Sequence, residues 1–248
     1  MDWFREWFGT RYYALLYGHR DETDAQAWVD HIIARTGLRP GDRLLDMACG
    51  RGRHTVRFAA QGILATGIDL SEPSIAEARQ RSPKADFHVH DIREPFARER
   101  FEVVVCLFTS LGYSPDLADD QRAVDAAAAA LKPGGRFVLD LLNGDMACSN
   151  LVSDERLEME GVRFIVHRTL EDGDIVKRIT VLDGPETATF TERVHPWQVD
   201  EVRTLVQRAG LLLEAITSGP EPVPFNCETS DRIVVWARKP GVQERGPA

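Results

Sequence analysis

The residues with the most chemical character lie in one run, Leu44-Leu45-Asp46-Met47-Ala48-Cys49-Gly50-Arg51-Gly52-Arg53-His54. An apolar strand ends at an acid, and a turn with two glycines leads into a helix. Glycine there lets the backbone approach a ligand with no Cβ in the way. Two more acids occupy matching places. Thr66-Gly67-Ile68-Asp69-Leu70-Ser71 sets Asp69 at the end of a second strand, where a carboxylate can accept both hydroxyls of a ribose. His90-Asp91-Ile92 sets Asp91 after a third. There it can accept from an adenine amino group while Leu70 and Ile92 flank the ring. Each acid alone also reads as a helix cap. Three at successive strand ends, with the glycine turn, suit a cationic, phosphate-free adenosyl ligand and would repel a pyrophosphate.

The rival reading is a dinucleotide site, because Gly50-x-Gly52 is half of GxGxxG. That fingerprint wants Gly or Ala at position 55, where Thr55 stands, and it has no acid like Asp46 before its glycines. No lysine follows the turn to cradle a triphosphate. A nicotinamide-dependent oxidoreductase is therefore the first alternative, and a non-catalytic adenosyl-binding protein the second.

The elements that must position these residues alternate. A helix over 22–36 is stopped by Gly37 and Pro40-Gly41. Arg43–Met47, Ile63–Ile68, Ala85–His90, Phe101–Phe108 and Gly135–Leu142 read as strands. Helices over 53–61, from Ser71 to about Arg81, and over 119–131 separate them. The Val103-Val104-Val105 run suits a strand buried on both faces. Strand–helix alternation implies a parallel sheet with right-handed crossovers, with ligands at the carboxyl ends of its strands. Val162–Leu170, Ile175–Leu182 and Thr187–Val194 then read as antiparallel strands joined by Asp172-Gly173 and Asp183-Gly184, which are hairpin turn signals. A helix over 196–209 and strands Leu211–Thr217 and Ile233–Arg238 complete the pattern, and 239–248 is a tail. The expected organisation is an N-terminal helical arm over 1–36 and one domain over 37–248, with an insertion at about 157–195.

Composition narrows the ligands. The 248 residues carry 30 Lys and Arg against 39 Asp and Glu, a net charge of −9. Phosphate backbones want clustered Lys and Arg, and no basic run occurs, so nucleic acid loses weight and a small-molecule acceptor gains it. Cys49, Cys106, Cys148 and Cys227 fit neither a zinc motif nor a CxxC pair. Reduced thiols in a cytoplasmic protein are expected, with no metal. Met1–Arg5 opens no signal-peptide core, and no stretch suits a membrane span. The chain is free to pair as a homodimer.

In order and spacing, Leu44–Thr55, Asp69, Asp91, Phe101–Tyr113 and Leu131-Lys132-Pro133-Gly134-Gly135 resemble the class I, Rossmann-like S-adenosylmethionine-dependent methyltransferases of small-molecule type. The likeness is strong over roughly 40–145 and weak in the last two strands. It implies a doubly wound α/β sheet of seven strands, the last antiparallel, with the antiparallel β insertion after strand five covering the acceptor. It implies S-adenosylmethionine as cofactor, held at Asp46, Gly50, Gly52, Asp69 and Asp91, and methyl transfer to nitrogen or oxygen. Leu70, Ile92, Ala48, Ser71, Leu107 and His54 are further expected cofactor contacts. The fourth strand ends Cys106-Leu107-Phe108-Thr109-Ser110, without the Asn/Asp-Pro-Pro-Tyr character of enzymes that methylate bases.

Aromatic residues crowd the first twenty positions. Tyr12, Tyr13, Tyr17, His19 and Arg20 read as a cover over the site, with Tyr17 and Arg20 reaching the cofactor and Tyr13 the substrate. Packing of buried aromatic faces is the equal alternative. Tyr113 after the fourth strand and Asn143 after the fifth are candidates to orient the acceptor, with Tyr113 also a catalytic candidate. His195, ahead of Pro196-Trp197, is the histidine best placed to act as a base; a structural role at a helix start is the stronger reading.

Overall fold

A computed structural model describes residues 3–17 and 22–244. The chain opens with helices α1 (Trp3–Trp7), α2 (Arg11–Tyr17) and α3 (Glu22–Thr36). It then alternates through β1 (Arg43–Met47), α4 (Arg53–Ala60), β2 (Leu64–Asp69), α5 (Glu72–Arg81), β3 (Asp86–Val89), β4 (Phe101–Cys106), α6 (Leu117–Ala130) and β5 (Leu131–Leu142). After α7 (Gly144–Ser149) come β6 (Asp154–Met159), β7 (Val162–Glu171), β8 (Asp174–Asp183) and β9 (Glu186–Val194). The chain returns through α8 (Val199–Arg208), β10 (Leu212–Thr217) and β11 (Arg232–Arg238).

The seven-stranded sheet runs β10-β11-β5-β4-β1-β2-β3. β1, β2, β3, β4 and β5 pair in parallel, while β11 pairs antiparallel with both β5 and β10. Strand order reverses between β1 and β4, which opens a crevice at their carboxyl ends. Helices cover both faces: α6 and α8 pack on one apolar cluster, and α3 and α4 on another through Trp28, Val29, Ile32 and Phe58. Val103, Val104 and Val105 are all buried, as a doubly covered strand requires. α3 is thus part of the main core, and the arm proper is α1 and α2. β5 takes in Leu131 as well as Gly135–Leu142, and its pairing with β4 shifts register between Phe101 and Val103.

The insertion is a separate antiparallel sheet, β6-β7-β8-β9. Glu160-Gly161 and Asp172-Gly173 turn it with positive φ at both residues, the geometry that matches strand twist in tight hairpins. It has four strands where the sequence suggests three. β6, DERLEM, is an edge strand with only Leu157 and Met159 for apolar signal. On one face, Val162, Phe164, Val166, Ile179 and Val181 form a cluster with Trp7 and Leu16 of the arm. Burying Trp7 there, at 1% exposure, is worth several kcal/mol at about 25 cal/mol per Å². Arm and insertion therefore make one layer. The short α7, capped by Asn143, escapes sequence reading because six residues give no period.

Candidate active site

The glycine turn is built by three left-handed residues, Ala48 (φ 56°), Gly50 (54°) and Gly52 (75°). The two glycines do different work. A Cβ on Gly50 would meet nothing within 4 Å, so the backbone there faces open space. A Cβ on Gly52 would lie 2.7 Å from the Phe87 ring and 3.1 Å from Ala78 Cβ. Gly52 lies outside the cavity lining. The contact expected of it is corrected to a packing role: it lets α4 start close against α5 and β3.

Asp69 ties the turn to the second strand. Its carboxylate accepts from Gly50 N–H and from Ser71 N–H, both at 2.8 Å. Ser71 caps α5 through Oγ and is also outside the cavity lining, so the cofactor contact expected of it is replaced by the cap. Asp46 is 2% exposed and accepts from Thr55 Oγ at 2.6 Å. Thr55, the residue that breaks the dinucleotide fingerprint, thus holds the acid in place. Burial pushes the Asp46 carboxyl up to about 7 despite that bond, and nearby Asp69 adds to the rise. Burial also raises Asp69, against the hydrogen bonds it accepts.

The sign of the Asp46 shift gives a test. Between about pH 4 and 7 the folded chain keeps a proton that the unfolded chain, with the ordinary value of 3.8, has released. Stability from this group is therefore lost as pH rises through that window. Asp46→Asn is expected to be more stable than the parent at pH 8, by roughly 2–4 kcal/mol, and to melt at the same temperature as the parent at pH 4. Thermal melts at the two pH values check it; an equal gain at both would refute it.

Asp91 lines the same cavity, but Arg93 holds its carboxylate, with Nε at 3.0 Å and Nη2 at 2.7 Å, and extends Nη1 to Asp119 at 2.7 Å. Arg93 is adjacent to the His90-Asp91-Ile92 motif and was readable only as a neighbour. Leu70, Ile92, Leu107, Ala48 and His54 all line the cavity. His54 is buried and neutral, its value lowered to about 3 by desolvation and by Arg53 and Arg57. Its ring stacks on Phe108 (5.1 Å, 24°) and its Nε2 has no partner. Phe108 and Thr109 are left-handed, at 60° and 57°. Buried Asp140 sets that bend by accepting from Phe108 N–H at 2.8 Å and pairing with Arg232. Sequence reading missed Phe108, Asp140 and Arg232 as site-building residues.

Asp46, Gly50, His54, Asp69, Asp91 and Phe108 line one cavity of about 390 Å³. Part of its lining is aromatic: Phe4, Phe8, Tyr13 and Tyr17 of the arm, with Tyr113, whose ring meets Phe4 and Phe8. The arm is fixed at several points, among them Tyr12 OH, which donates to Asp183 at 3.1 Å. Trp3 Nε1 donates to Tyr113 O at 3.3 Å, and Phe8 meets the Tyr113 ring at 5.4 Å. Farther along, buried Glu192 of β9 accepts from Trp7 Nε1 (2.5 Å) and Tyr17 OH (2.8 Å), while Lys177 Nζ donates to Tyr17 OH. Tyr17 therefore both lines the cavity and anchors the arm. Tyr113 OH donates to Thr109 O, so its hydroxyl braces the bend while its ring faces the cavity.

Two candidates are corrected. Asn143, 1% exposed, donates to Cys227 O and Ser230 O at 2.8 Å and accepts from Asp145 N–H. Its amide nitrogen joins two loops and its oxygen caps α7, and it does not line the cavity. His195 stands outside the cavity too, between Asp174 (3.4 Å) and Glu201 (3.3 Å), edge-on to Trp197. That is a structural post at the start of α8. Arg20 and His19 lie outside the described residues. All four cysteines are free thiols, and no described helix is long and apolar enough to cross a membrane.

An open sheet of this strand order, with Asp46 and Asp69 flanking a glycine turn, is the architecture the sequence resemblance implies. Residues 44–135 match the family model described as "Methyltransferase domain". The chain is 28% identical to dTDP-4-amino-2,3,4,6-tetradeoxy-D-glucose N,N-dimethyltransferase of Saccharopolyspora spinosa, over 76% of this chain and 78% of that one. It is 33% identical to dTDP-3-amino-3,4,6-trideoxy-alpha-D-glucopyranose N,N-dimethyltransferase of Streptomyces venezuelae, over 52% of this chain and about half (54%) of that enzyme. Its fold matches a crystal structure of an S-adenosylmethionine-dependent methyltransferase from Clostridium acetobutylicum (TM-score 0.79, 19% identity, 93% of this chain and 97% of that one). Over residues 44–135 the chain carries a methyltransferase domain, and the relatives it resembles are named for methyl transfer to small-molecule nitrogen or oxygen acceptors.

Proposed function

We propose that this enzyme methylates the amino nitrogen of a small molecule of amino-sugar type, in the cytoplasm. The observation that carries the reading is a single cavity lined both by strand-end acids with a bare glycine and by aromatic rings of the arm and Tyr113. The two amino-sugar N,N-dimethyltransferases among the relatives support nitrogen as acceptor. A relative named 27-O-demethylrifamycin SV methyltransferase, 38% identical over 44% of this chain, keeps oxygen as the second reading. Four free thiols fit a reducing compartment, and the −9 charge disfavours nucleic acid.

The residues fit S-adenosylmethionine. Asp69 faces the cavity where ribose hydroxyls can be accepted, and Leu70 and Ile92 offer apolar walls for adenine. The space before Gly50 admits the ligand backbone-close, and Asp46 and the unpartnered His54 Nε2 offer polar contacts for its amino acid end. When bound, the cofactor supplies an electrophilic methyl on a sulfonium. The protein then has to align the acceptor lone pair in line with the methyl–sulfur bond and keep water out. Tyr13 and Tyr113 shape the acceptor end, and the arm closes it.

The test is incubation with labelled S-adenosylmethionine and a panel of amino-sugar nucleotides and their hydroxyl counterparts, read by mass spectrometry. Products carrying one or two added methyl groups on the amino sugars are expected. Cofactor binding without transfer to any amine, or transfer to the hydroxyl compounds alone, would overturn the nitrogen assignment.

A further inference from the structure

One acid in the cavity wall stands apart from the three strand-end acids. Asp120, in the first turn of α6, is 5% exposed and lines the cavity. Its Oδ1 accepts from Gly112 N–H at 2.8 Å, and its Oδ2 is buried with no hydrogen-bond partner. Buried carboxylate oxygens are normally paired, because leaving one bare costs the full desolvation of a charged acceptor. Gly112 is bonded to Tyr113, whose ring meets Phe8 at 5.4 Å and Phe4 at 6.4 Å. Asp120 therefore braces, through Gly112, the loop that presents Tyr113 to the cavity they both line. Ring faces attract cations, and alkylammonium groups are the ligands that combine such faces with a carboxylate.

We infer that Asp120 is the counter-charge and proton acceptor for an ammonium-bearing acceptor held against Phe4, Phe8 and Tyr113. This rests on the methyl-transfer reading above and names the state in which the acceptor arrives. The protonated amine docks as R–NH3+ and passes one N–H proton to Asp120 Oδ2, leaving R–NH2 and a neutral carboxylic acid. The amine lone pair forms the new C–N bond as the C–S bond breaks, with that electron pair staying on sulfur. The product, R–NH2CH3+, is again a cation. Once Asp120 returns its proton to water, the same pair can serve a second methylation. Burial pushes the Asp120 carboxyl up to about 6, against the Gly112 hydrogen bond and the nearby His195, with Asp119 adding to the rise and Arg93 opposing it. That brings it nearer to an amine than an exposed carboxylate, as proton transfer near neutral pH requires.

The experiment compares isopropylammonium with isopropanol, titrated by NMR into the full chain with and without S-adenosylhomocysteine. At pH 8 the parent is expected to bind the ammonium about tenfold more tightly than the alcohol. Asp120→Asn, which keeps an oxygen for Gly112 N–H, should lose that preference while S-adenosylhomocysteine affinity by calorimetry stays within about twofold. In the parent alone the preference should fall as pH drops through about 6. This wild-type profile stands whether or not the variant folds. No ammonium preference in the parent, a preference that survives Asp120→Asn, or one indifferent to pH would overturn the inference. Failure of S-adenosylhomocysteine to bind would instead strike the methyl-transfer reading.

Discussion

Asp69→Ala is expected to lower the affinity for S-adenosylmethionine by about a hundredfold or more. Two losses add up. The cavity loses the carboxylate at the end of β2, and with it the charge-assisted acceptor proposed for ribose hydroxyls. The glycine turn loses its brace as well, because the same carboxylate holds Gly50 N–H and Ser71 N–H at 2.8 Å. Each charge-assisted bond is worth about 1.5–3 kcal/mol, so a loss near 3 kcal/mol is conservative. Asp69→Asn separates the two, since its one amide oxygen can brace a backbone N–H but carries no charge. Isothermal calorimetry on both variants reads the effect. Unchanged affinity in Asp69→Ala would mean that the ribose does not lie at β2.

Arg232→Met is expected to cost about 3–5 kcal/mol of folding stability, a fall in Tm of roughly 10 °C for a chain of this length. Asp140 is 0% exposed, and Arg232 Nη2 reaches its Oδ2 at 2.8 Å. Without the guanidinium, a buried carboxylate would lose its charged partner while Phe108 N–H still donates to it. The guanidinium also donates to Thr109 Oγ at 3.2 Å and sits 5.2 Å from the Phe108 ring centroid. Its loss therefore loosens the left-handed bend that carries Phe108 onto His54, and cofactor affinity should weaken together with stability. Thermal denaturation with and without S-adenosylhomocysteine measures both. A Tm within about 2 °C of the parent would show that Asp140 finds its compensation elsewhere.

Much of the cofactor end was readable because its geometry is local. The distance along the chain from Asp46 to His54 sets a strand end, a turn and a helix start, and Asp69 and Asp91 repeat the strand-end position. The Asp172-Gly173 hairpin was legible for the same reason, since two positive-φ residues leave a two-letter mark. What escaped depends on residues far apart in sequence. Arg232 meets Asp140 across 92 positions, and Asn143 meets Ser230 across 87. Nothing in either segment alone says which polar groups will be buried together. Gly52 shows the same limit at short range: its spacing marks a ligand turn, but only the packed Phe87 ring reveals what its missing Cβ accommodates. His195 was drawn toward catalysis by residue type, and Asp174 and Glu201 hold it in a structural place.

Gly144 donates to Trp197 O at 2.9 Å, and a Cβ there would fall 2.2 Å from Pro196 O. The chain thus leaves the large sheet and re-enters it through one narrow doorway. Everything between can be replaced as a cassette without re-threading a strand of the large sheet, as with other insertions whose ends lie close together. Trp7 and Tyr17 clasp that cassette from outside, so the first seventeen residues must travel with it. A lineage could in this way trade one acceptor for another while its cofactor half stayed untouched.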